Sequence, residues 1–285
     1  MACKHNRAPI DINSSLTKKH CELKCTYQFQ YSPSQVILTN KDTYLSLGDY
    51  NTSHTDKVIY NNVRVDNHIN PYIFSPSVHT FNGTIYDAEL IVVHKGNGSM
   101  MTVCIPINGL GSSNTDLASI IAPKYLDQIL LHNESVNPSG LEYNLSNSIK
   151  LGAPFFSYSS HLFFDNCEKC DYIVYTEPII VSGSTISVLK NILKPHNISI
   201  CTNNCPILYY NIKGATSGQT GDIYIECKPT DHSGKEIPVP TQRSLPNMDQ
   251  LTGIKLDIPT EHIIIGSISA ILILFILSKI LNKAK

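Results

Sequence analysis

The chain has 285 residues, of which 42% are hydrophobic, 16% are charged and nine are cysteine. This hydrophobic content suffices for a sizeable core and excludes disordered and collagen-like proteins. The formal net charge of −1 argues against a nucleic-acid partner, because such proteins are usually strongly basic.

Most of the elements that the sequence predicts are strands. Apolar or alternating runs between turn signals predict strands over residues 26–31, 35–39, 89–94, 101–107, 172–175 and 223–227. Asn-Gly or related turn pairs separate several of them. Helical periodicity is limited to residues 117–132 and 185–193, with Ser184 as the N-cap candidate of the second helix. We therefore expect a mainly β (α+β) domain over residues 1–228.

A proline-containing segment and an apolar run follow this domain. Residues 229–260 hold five prolines and few large apolar side chains, which predicts a stalk. A helix over residues 263–281 would span ~28 Å at ~1.5 Å per residue, about one hydrocarbon core. We expect a transmembrane helix over 261–281 and a basic tail over 282–285. No signal-peptide pattern opens the sequence, so we expect a C-terminal anchor with the domain on the opposite side from the basic tail.

The cysteine spacing leaves two interpretations open. Three close pairs occur: Cys21 with Cys25, Cys167 with Cys170, and Cys201 with Cys205. Only one pair has the C-x2-C spacing that is typical of zinc sites, and no His lies close enough along the chain to complete such a site. Disulfides are therefore favoured. Disulfides in a protein without a signal peptide suggest a large cytoplasmic virus that oxidises its own virion proteins. The alternative is a metal site built from Cys167, Cys170 and His161.

Catalytic motifs are absent from the sequence. It contains no H-E-x-x-H, no G-x-S-x-G, no P-loop and no dinucleotide-binding glycine motif. The eleven His residues are scattered along the chain. Motifs alone therefore predict neither an enzymatic activity nor a cofactor.

Five segments resemble, in order, those of the α-carbonic anhydrases. YDAELIVVHK at 86–95 is similar to that family's central strand, Y-x-A-E-L-H-L-V-H-W. The others are RAPIDI at 7–12, SVHTFN at 77–82, FFSY at 155–158 and DYIVYTEPI at 171–179. The resemblance implies a central twisted sheet with few short helices.

The same resemblance implies that the family's zinc site is lost. Three His hold the catalytic zinc in that family, and the alignment places them at Ile73, Ser75 and Ile91. Phe163 stands where the family has the Thr that orients the zinc hydroxide. Ile offers no lone pair and Ser is a poor zinc ligand, so we expect no metal and no enzymatic activity. His79 and His94 match positions outside the metal shell, where structural hydrogen bonds are expected.

A zinc-free domain of this kind with a C-terminal anchor resembles the carbonic-anhydrase-like envelope proteins of poxviruses. Those proteins bind chondroitin sulfate on host cells, which implies a virion-membrane protein with a host glycosaminoglycan partner. The alternatives are a structural envelope protein or a protein-receptor binder. Residues 1–260 carry 19 Lys and Arg against 22 Asp and Glu, so a sulfated glycan needs a local basic site. Lys41 and Lys95 match positions where the family places basic residues.

The resemblance also implies a disulfide between Cys3 and Cys167, because extracellular family members bridge the corresponding positions. Cys104 and Cys170 lie in apolar strands and are expected to be buried free thiols. Cys201 and Cys205 form a candidate local pair. Nine cysteines leave one over, and Cys227 is the candidate for an intermolecular bridge in a disulfide-linked homodimer.

Overall fold

A computed structural model of the protein describes residues 8–21, 25–48, 56–96, 98–111, 115–164 and 168–217. The predicted strand at 223–227, the stalk, the transmembrane helix and the basic tail lie outside these ranges, as do Cys3, Cys167 and Cys227. No helix within the described ranges is long and apolar enough to cross a membrane.

Strands dominate the described residues. In chain order they are β1 Asp11–Ile12, β2 Thr17–His20, β3 Tyr27–Gln30, β4 Ile37–Asn40, β5 Tyr44–Gly48, β6 Lys57–Tyr60, β7 Val63–Arg64, β8 His68–Phe74, β9 Thr80–Phe81, β10 Ala88–Lys95, β11 Met100–Asn108, β12 Ser135–Val136, β13 Phe155–His161, β14 Lys169–Tyr175, β15 Ile179–Ile180, β16 Leu208–Asn211 and β17 Thr216–Ser217. The helices are α1 Asp116–Ile120, α2 Pro123–Leu126 and α3 Gly183–Ile192, with 3-10 turns at Ser14–Leu16 and Leu145–Ser148.

One large sheet organises the domain. Its strand order is β12-β4-β5-β8-β10-β11-β14-β13-β16-β2, and β15 pairs with β11 beside this path. β10 is antiparallel to both of its neighbours, β8 and β11, whereas β11 and β14 are parallel to each other. A smaller sheet has the order β17-β3-β6-β7, and β1 pairs with β9. The mainly β architecture with few short helices that the sequence predicts is therefore confirmed.

Both faces of the central strands are buried. Every residue of β10 except Lys95 is buried, which explains its nearly continuous apolar sequence. One face, with Ile73 and Leu90, belongs to a core that also contains Leu117 of α1 and Leu189 of α3. The opposite face, with Ile91, packs in a second core with the N-terminal strand β1. Successive side chains of a strand alternate between the two cores.

The helix predicted over 117–132 is only partly right. Thr115 caps α1 by accepting a hydrogen bond from the Ala118 amide at 3.2 Å, but the helix ends before Pro123. Ala122 is extended, with ψ of 147°, because a residue that precedes proline is pushed out of the helical region. The chain therefore forms two short helices in place of one long helix.

The prediction of α3 is confirmed, but its cap is not the expected residue. Ser182 accepts a hydrogen bond from the Thr185 amide at 3.1 Å and starts the helix at Gly183. Ser184, the sequence-based candidate, lies inside the first turn and contacts the Ser182 hydroxyl at 2.8 Å. α3 buries Ile186 and Leu189 against the sheet.

A chain of hydrogen bonds crosses the core beside β10. The Tyr27 and Tyr31 hydroxyls are 2.7 Å apart, and the Tyr31 hydroxyl lies 2.7 Å from Nε2 of His94. His94 is fully buried, and burial lowers the pKa of its imidazole to about 4. The structural role expected for His94 is therefore confirmed, and the ring is neutral at pH 7.

This burial makes the stability of the domain depend on pH. The unfolded chain protonates His94 near its ordinary pKa, whereas the folded chain does so near 4. The free energy of unfolding should therefore fall as the pH drops from 6.5 towards 4, by at most ~3 kcal/mol from this residue. The variant His94→Gln should be less stable than the wild type at pH 7, and urea unfolding at several pH values should show that difference shrinking on acidification. A stability difference between wild type and variant that stays constant with pH would contradict the interpretation of His94 as a buried neutral side chain.

Candidate functional site

The pairing of β8 with β10 decides which side chains share the family's metal-binding face. Ile91 lies directly opposite Tyr72, and Leu90 lies opposite Ile73. Paired residues of neighbouring strands project to the same face, and the faces alternate along each strand. Ile91, Tyr72 and Phe74 therefore share one face, whereas Ile73 projects to the other core.

The three sequence-predicted zinc positions are accordingly not brought together. Ile73 and Ile91 are both fully buried, but in different cores. Ser75 follows the end of β8, and its hydroxyl donates to the Asp87 carbonyl at 2.9 Å. The register puts Tyr72 and Phe74, rather than Ile73 and Ser75, on the face of Ile91.

Aromatic rings occupy the Ile91 face. The ring of Phe164 lies 5.3 Å from that of Tyr72 and 5.5 Å from that of Phe74. Phe163 lies 5.8 Å from Phe74 and 4.8 Å from Phe164. Ile91, Phe74, Phe163 and Phe164 offer no lone pair to a metal ion. We call Tyr72, Phe74, Phe163 and Phe164 the aromatic cluster.

One group of side chains within the described ranges has metal-binding composition. His79, Glu89 and Cys104 are fully buried, and their donor atoms lie within 4.8 Å of one another. The Glu89 carboxylate accepts from the amides of Val78 and His79 at 2.8 and 2.9 Å, and it lies 2.6 Å from Nδ1 of His79. Nε2 of His79 lies 2.7 Å from the Tyr158 hydroxyl.

These contacts satisfy the polar atoms without a metal. Burial raises the pKa of the Tyr158 phenol well above its ordinary value, so this hydroxyl donates to Nε2 of His79 and leaves Nδ1–H to donate to the Glu89 side chain. Burial, followed by the nearby Glu89 carboxylate, also raises the pKa of the Cys104 thiol, and a protonated thiol is a poor ligand. The arrangement fits the structural hydrogen bonding expected for His79.

The other cysteine predictions have mixed outcomes. A disulfide is favoured for the Cys21 and Cys25 pair, but both are buried free thiols. Cys201 and Cys205 form the expected disulfide, with Cα atoms 5.7 Å apart. Cys104 and Cys170 are buried free thiols, as predicted. Burial raises the pKa of Cys170 to about 12, so this thiol stays protonated, and the described residues give no support to a metal site with His161. The Cys3–Cys167 bridge stays a prediction.

Lys41 and Lys95 do not form one site. The Lys41 amide donates to the Tyr44 carbonyl, Tyr44 pairs with Phe74, and Phe74 pairs with Glu89. Lys95 lies six residues beyond Glu89 along β10, which corresponds to ~20 Å at the usual rise of a strand. The two lysines therefore lie towards opposite ends of the sheet.

The two lysines also differ in their partners. The Lys95 amine lies 3.1 Å from the Glu168 carboxylate, so its charge is locally neutralised. The Lys41 amine donates to the neutral Asn133 side chain at 2.8 Å, which leaves its charge available to an anion.

Further basic side chains converge near Lys41. Lys194 and His132 approach opposite oxygens of Asp42 at 3.4 and 3.3 Å, and the Lys194 amide donates to the Asp42 carbonyl at 2.6 Å. Lys190, on the last turn of α3, pairs with Asp87 at 2.6 Å. We call this group the Lys41 cluster: Lys41, His132, Lys190 and Lys194.

Helical spacing does not place Lys190 and Lys194 on one side, because α3 ends at Ile192 and the backbone of Leu193 is extended, with ψ of 132°. Their proximity to Lys41 depends on tertiary contacts, such as the hydrogen bond from the Asn40 side chain to the Ile192 carbonyl at 3.1 Å.

Solved structures with this fold are mainly carbonic anhydrases. The α-carbonic anhydrase of Thermovibrio ammonificans aligns with a TM-score of 0.59 and 19% identity, covering 72% of this chain and 86% of that one. The enzyme of Photobacterium profundum aligns with a TM-score of 0.60 and 17% identity, covering 72% and 89%. Dioscorin, solved with ascorbate, aligns with a TM-score of 0.61 and 16% identity, covering 73% and 86%.

No protein-family model matches this sequence, and no curated protein matches it at a significant level. At identities below 20%, the structural likeness establishes an α-carbonic-anhydrase-like fold.

The strand register can be tested with engineered metal sites. Histidines at Tyr72 and Ile91 would lie opposite each other on one face, so Tyr72→His with Ile91→His should create a zinc chelate. Zinc binds the folded state and should raise its melting temperature by several degrees. The matched control, Ile73→His with Ile91→His, places the two rings on opposite faces. Thermal unfolding with and without zinc measures both, and an equal response of the two variants would contradict the register.

Proposed function

We propose that this chain is a non-catalytic binding domain built on the carbonic anhydrase fold. The observation that carries this proposal is the aromatic cluster on the Ile91 face. Hydration of carbon dioxide in the family uses a zinc-bound water whose pKa is lowered to ~7. Ile91 and Phe74 supply no ligand to such a metal, and Phe163 and Phe164 fill the adjacent space with rings.

Carbon dioxide hydration therefore should not exceed the buffer blank. Stopped-flow measurements with a pH indicator on the full chain, with and without added zinc, provide the test, and an active α-carbonic anhydrase treated in parallel is the control. Stoichiometric bound zinc together with hydration that a sulfonamide inhibits would overturn the proposal.

We further propose that the domain attaches a virion to host-cell glycosaminoglycan of the chondroitin sulfate type. In this proposal the C-terminal segment anchors the protein in the virion membrane with the domain outside. The resemblance to poxvirus envelope proteins motivates it, and the Lys41 cluster offers a chemically suitable site. Sulfate groups require exposed cations, and the Lys194 side chain is 73% exposed.

The charge distribution makes this site local and weak. Asp42 and Asp87 lie within the cluster, so only part of its positive charge is available to a ligand. A few exposed lysines bind a polyanion weakly and lose it as salt shortens the Debye length from ~10 Å at 0.1 M to ~3 Å at 1 M. Many anchored copies on one particle would raise the overall avidity.

The double variant Lys41→Glu with Lys194→Glu should bind chondroitin sulfate at least tenfold more weakly, because two surface cations become anions. Lys95→Glu is the matched control and should retain binding, since Lys95 lies far away and is already paired with Glu168. Surface plasmon resonance at 0.05, 0.15 and 1 M salt measures both effects. Equal losses in the two variants would refute the assignment of the cluster.

A protein receptor is the second candidate, and one observation favours it. Leu130 and Leu131 are 58% and 68% exposed immediately before His132 of the Lys41 cluster. Exposed apolar side chains next to charged ones are typical of protein-binding surfaces. Attachment to cells that persists at 1 M salt and after removal of glycosaminoglycans would favour this candidate.

A further inference from the structure

A separate pocket opens near the N-terminal strand, away from the aromatic cluster and the Lys41 cluster. Its volume is about 660 Å³, within the usual range of ~300–1,000 Å³ for small-molecule sites. The proposed function does not use it.

Aromatic rings form much of its wall. Phe156 and Tyr210 lie on neighbouring strands with ring centroids 4.9 Å apart, and Phe81 and Tyr86 meet edge to face at 5.0 Å. Phe81 and Phe156 are buried, whereas the two tyrosines are half-buried. Such rings offer flat apolar faces that a ligand can cover.

The remaining lining consists of one Ile and five uncharged polar side chains: Ser14, Thr17, Asn82, Thr84 and Thr176. Every one of the five can both donate and accept a hydrogen bond. The lining residues whose side chains the structure describes include no Lys, Arg, Asp or Glu, so they offer no ion-pair partner to a sulfate, phosphate or carboxylate.

One of these hydroxyls lacks a partner in the protein. Oγ1 of Thr17 is buried and makes no hydrogen bond to any residue in the described ranges. A buried hydroxyl without a partner is costly. Because this oxygen is closed to solvent before binding, a ligand satisfies it only together with a small shift of the lining.

The rim on which Asn82 lies is held firmly in place. Phe81 and Thr84 exchange backbone hydrogen bonds at 2.8 and 3.0 Å, and the Asn82 amide donates to the Ile12 carbonyl at 3.1 Å. The Gly83 amide donates to the Asp11 carboxylate at 2.9 Å. A rim that is rigid before binding loses little conformational entropy when a ligand enters.

We infer that this pocket binds a neutral sugar ring. A pyranose presents C–H groups on its faces, which suit the aromatic wall, and hydroxyls around its edge, which suit neutral groups that both donate and accept. This ligand differs from the sulfated chain assigned to the Lys41 cluster, so either site can be present without the other.

Nuclear magnetic resonance of threonine methyl groups tests the inference on the full chain. Bacterial expression keeps Asn82 unmodified, which matters because Asn82-Gly83-Thr84 is an N-glycosylation sequon. The probes are uncharged methyl glycosides of glucose, galactose, mannose and N-acetylglucosamine. At least one should shift the methyl signals of Thr17, Thr84 and Thr176 in a saturable manner and leave that of Thr39 unchanged.

Two substitutions sharpen the test. Thr17→Val keeps the side-chain shape and removes the hydroxyl, so it should weaken the glycoside at least tenfold without lowering the melting temperature. Asn82→Ala should weaken binding of the glycoside to a similar extent. Asn137→Ala, at an exposed position after β12, should leave the affinity unchanged. Absence of saturable shifts with all four glycosides, tighter binding of methyl glucuronide than of methyl glucoside, or unchanged affinity in both pocket variants would overturn the inference.

Discussion

The pairing of β8 with β10 is the constraint on which the account of this protein depends. Because Ile91 lies opposite Tyr72, the alternation of side chains assigns every residue of both strands to one of the two cores. A shift of one residue would exchange Tyr72 and Phe74 for Ile73 on the face of Ile91. The same register brings Glu89 to the face of His79, where the buried carboxylate acquires its hydrogen bonds.

Side chains fill the interior around these strands. Here rings of the aromatic cluster pack against one another at 4.8 to 5.8 Å, and the polar network of His79, Glu89 and Tyr158 is closed on itself. Close packing and satisfied hydrogen bonds stabilise such an interior, and binding activities are then left to the surface and to other pockets.

The sequence predicted β10 and β11 well because their nearly continuous apolar composition admits one interpretation. They were expected over 89–94 and 101–107, and each extends one residue further at both ends. The local disulfide and two buried thiols also followed from spacing and context. Several strands were missed. β5, β6 and β16 are short and mix polar with apolar side chains, and the seven-residue strands β8 and β13 were missed as well.

The side chains of β8 that share a face with Ile91 could not be predicted from the sequence. HINPYIF has apolar residues on both faces, so alternation gives no signal for which residues share a face with Ile91. Pro123, in contrast, was a readable signal for the break between α1 and α2. The Lys41 cluster and the sugar-binding pocket combine residues from distant parts of the chain, and only the tertiary structure places them together.

The central proposal is that Phe74, Ile91 and the packed rings of Phe163 and Phe164 leave no zinc site on the Ile91 face. Crystals of the protein grown with excess zinc and measured at the zinc absorption edge test this most directly. The account predicts no anomalous peak within coordination distance of Tyr72, Phe74 or Ile91. A tetrahedrally coordinated zinc ion bound at that face would contradict it.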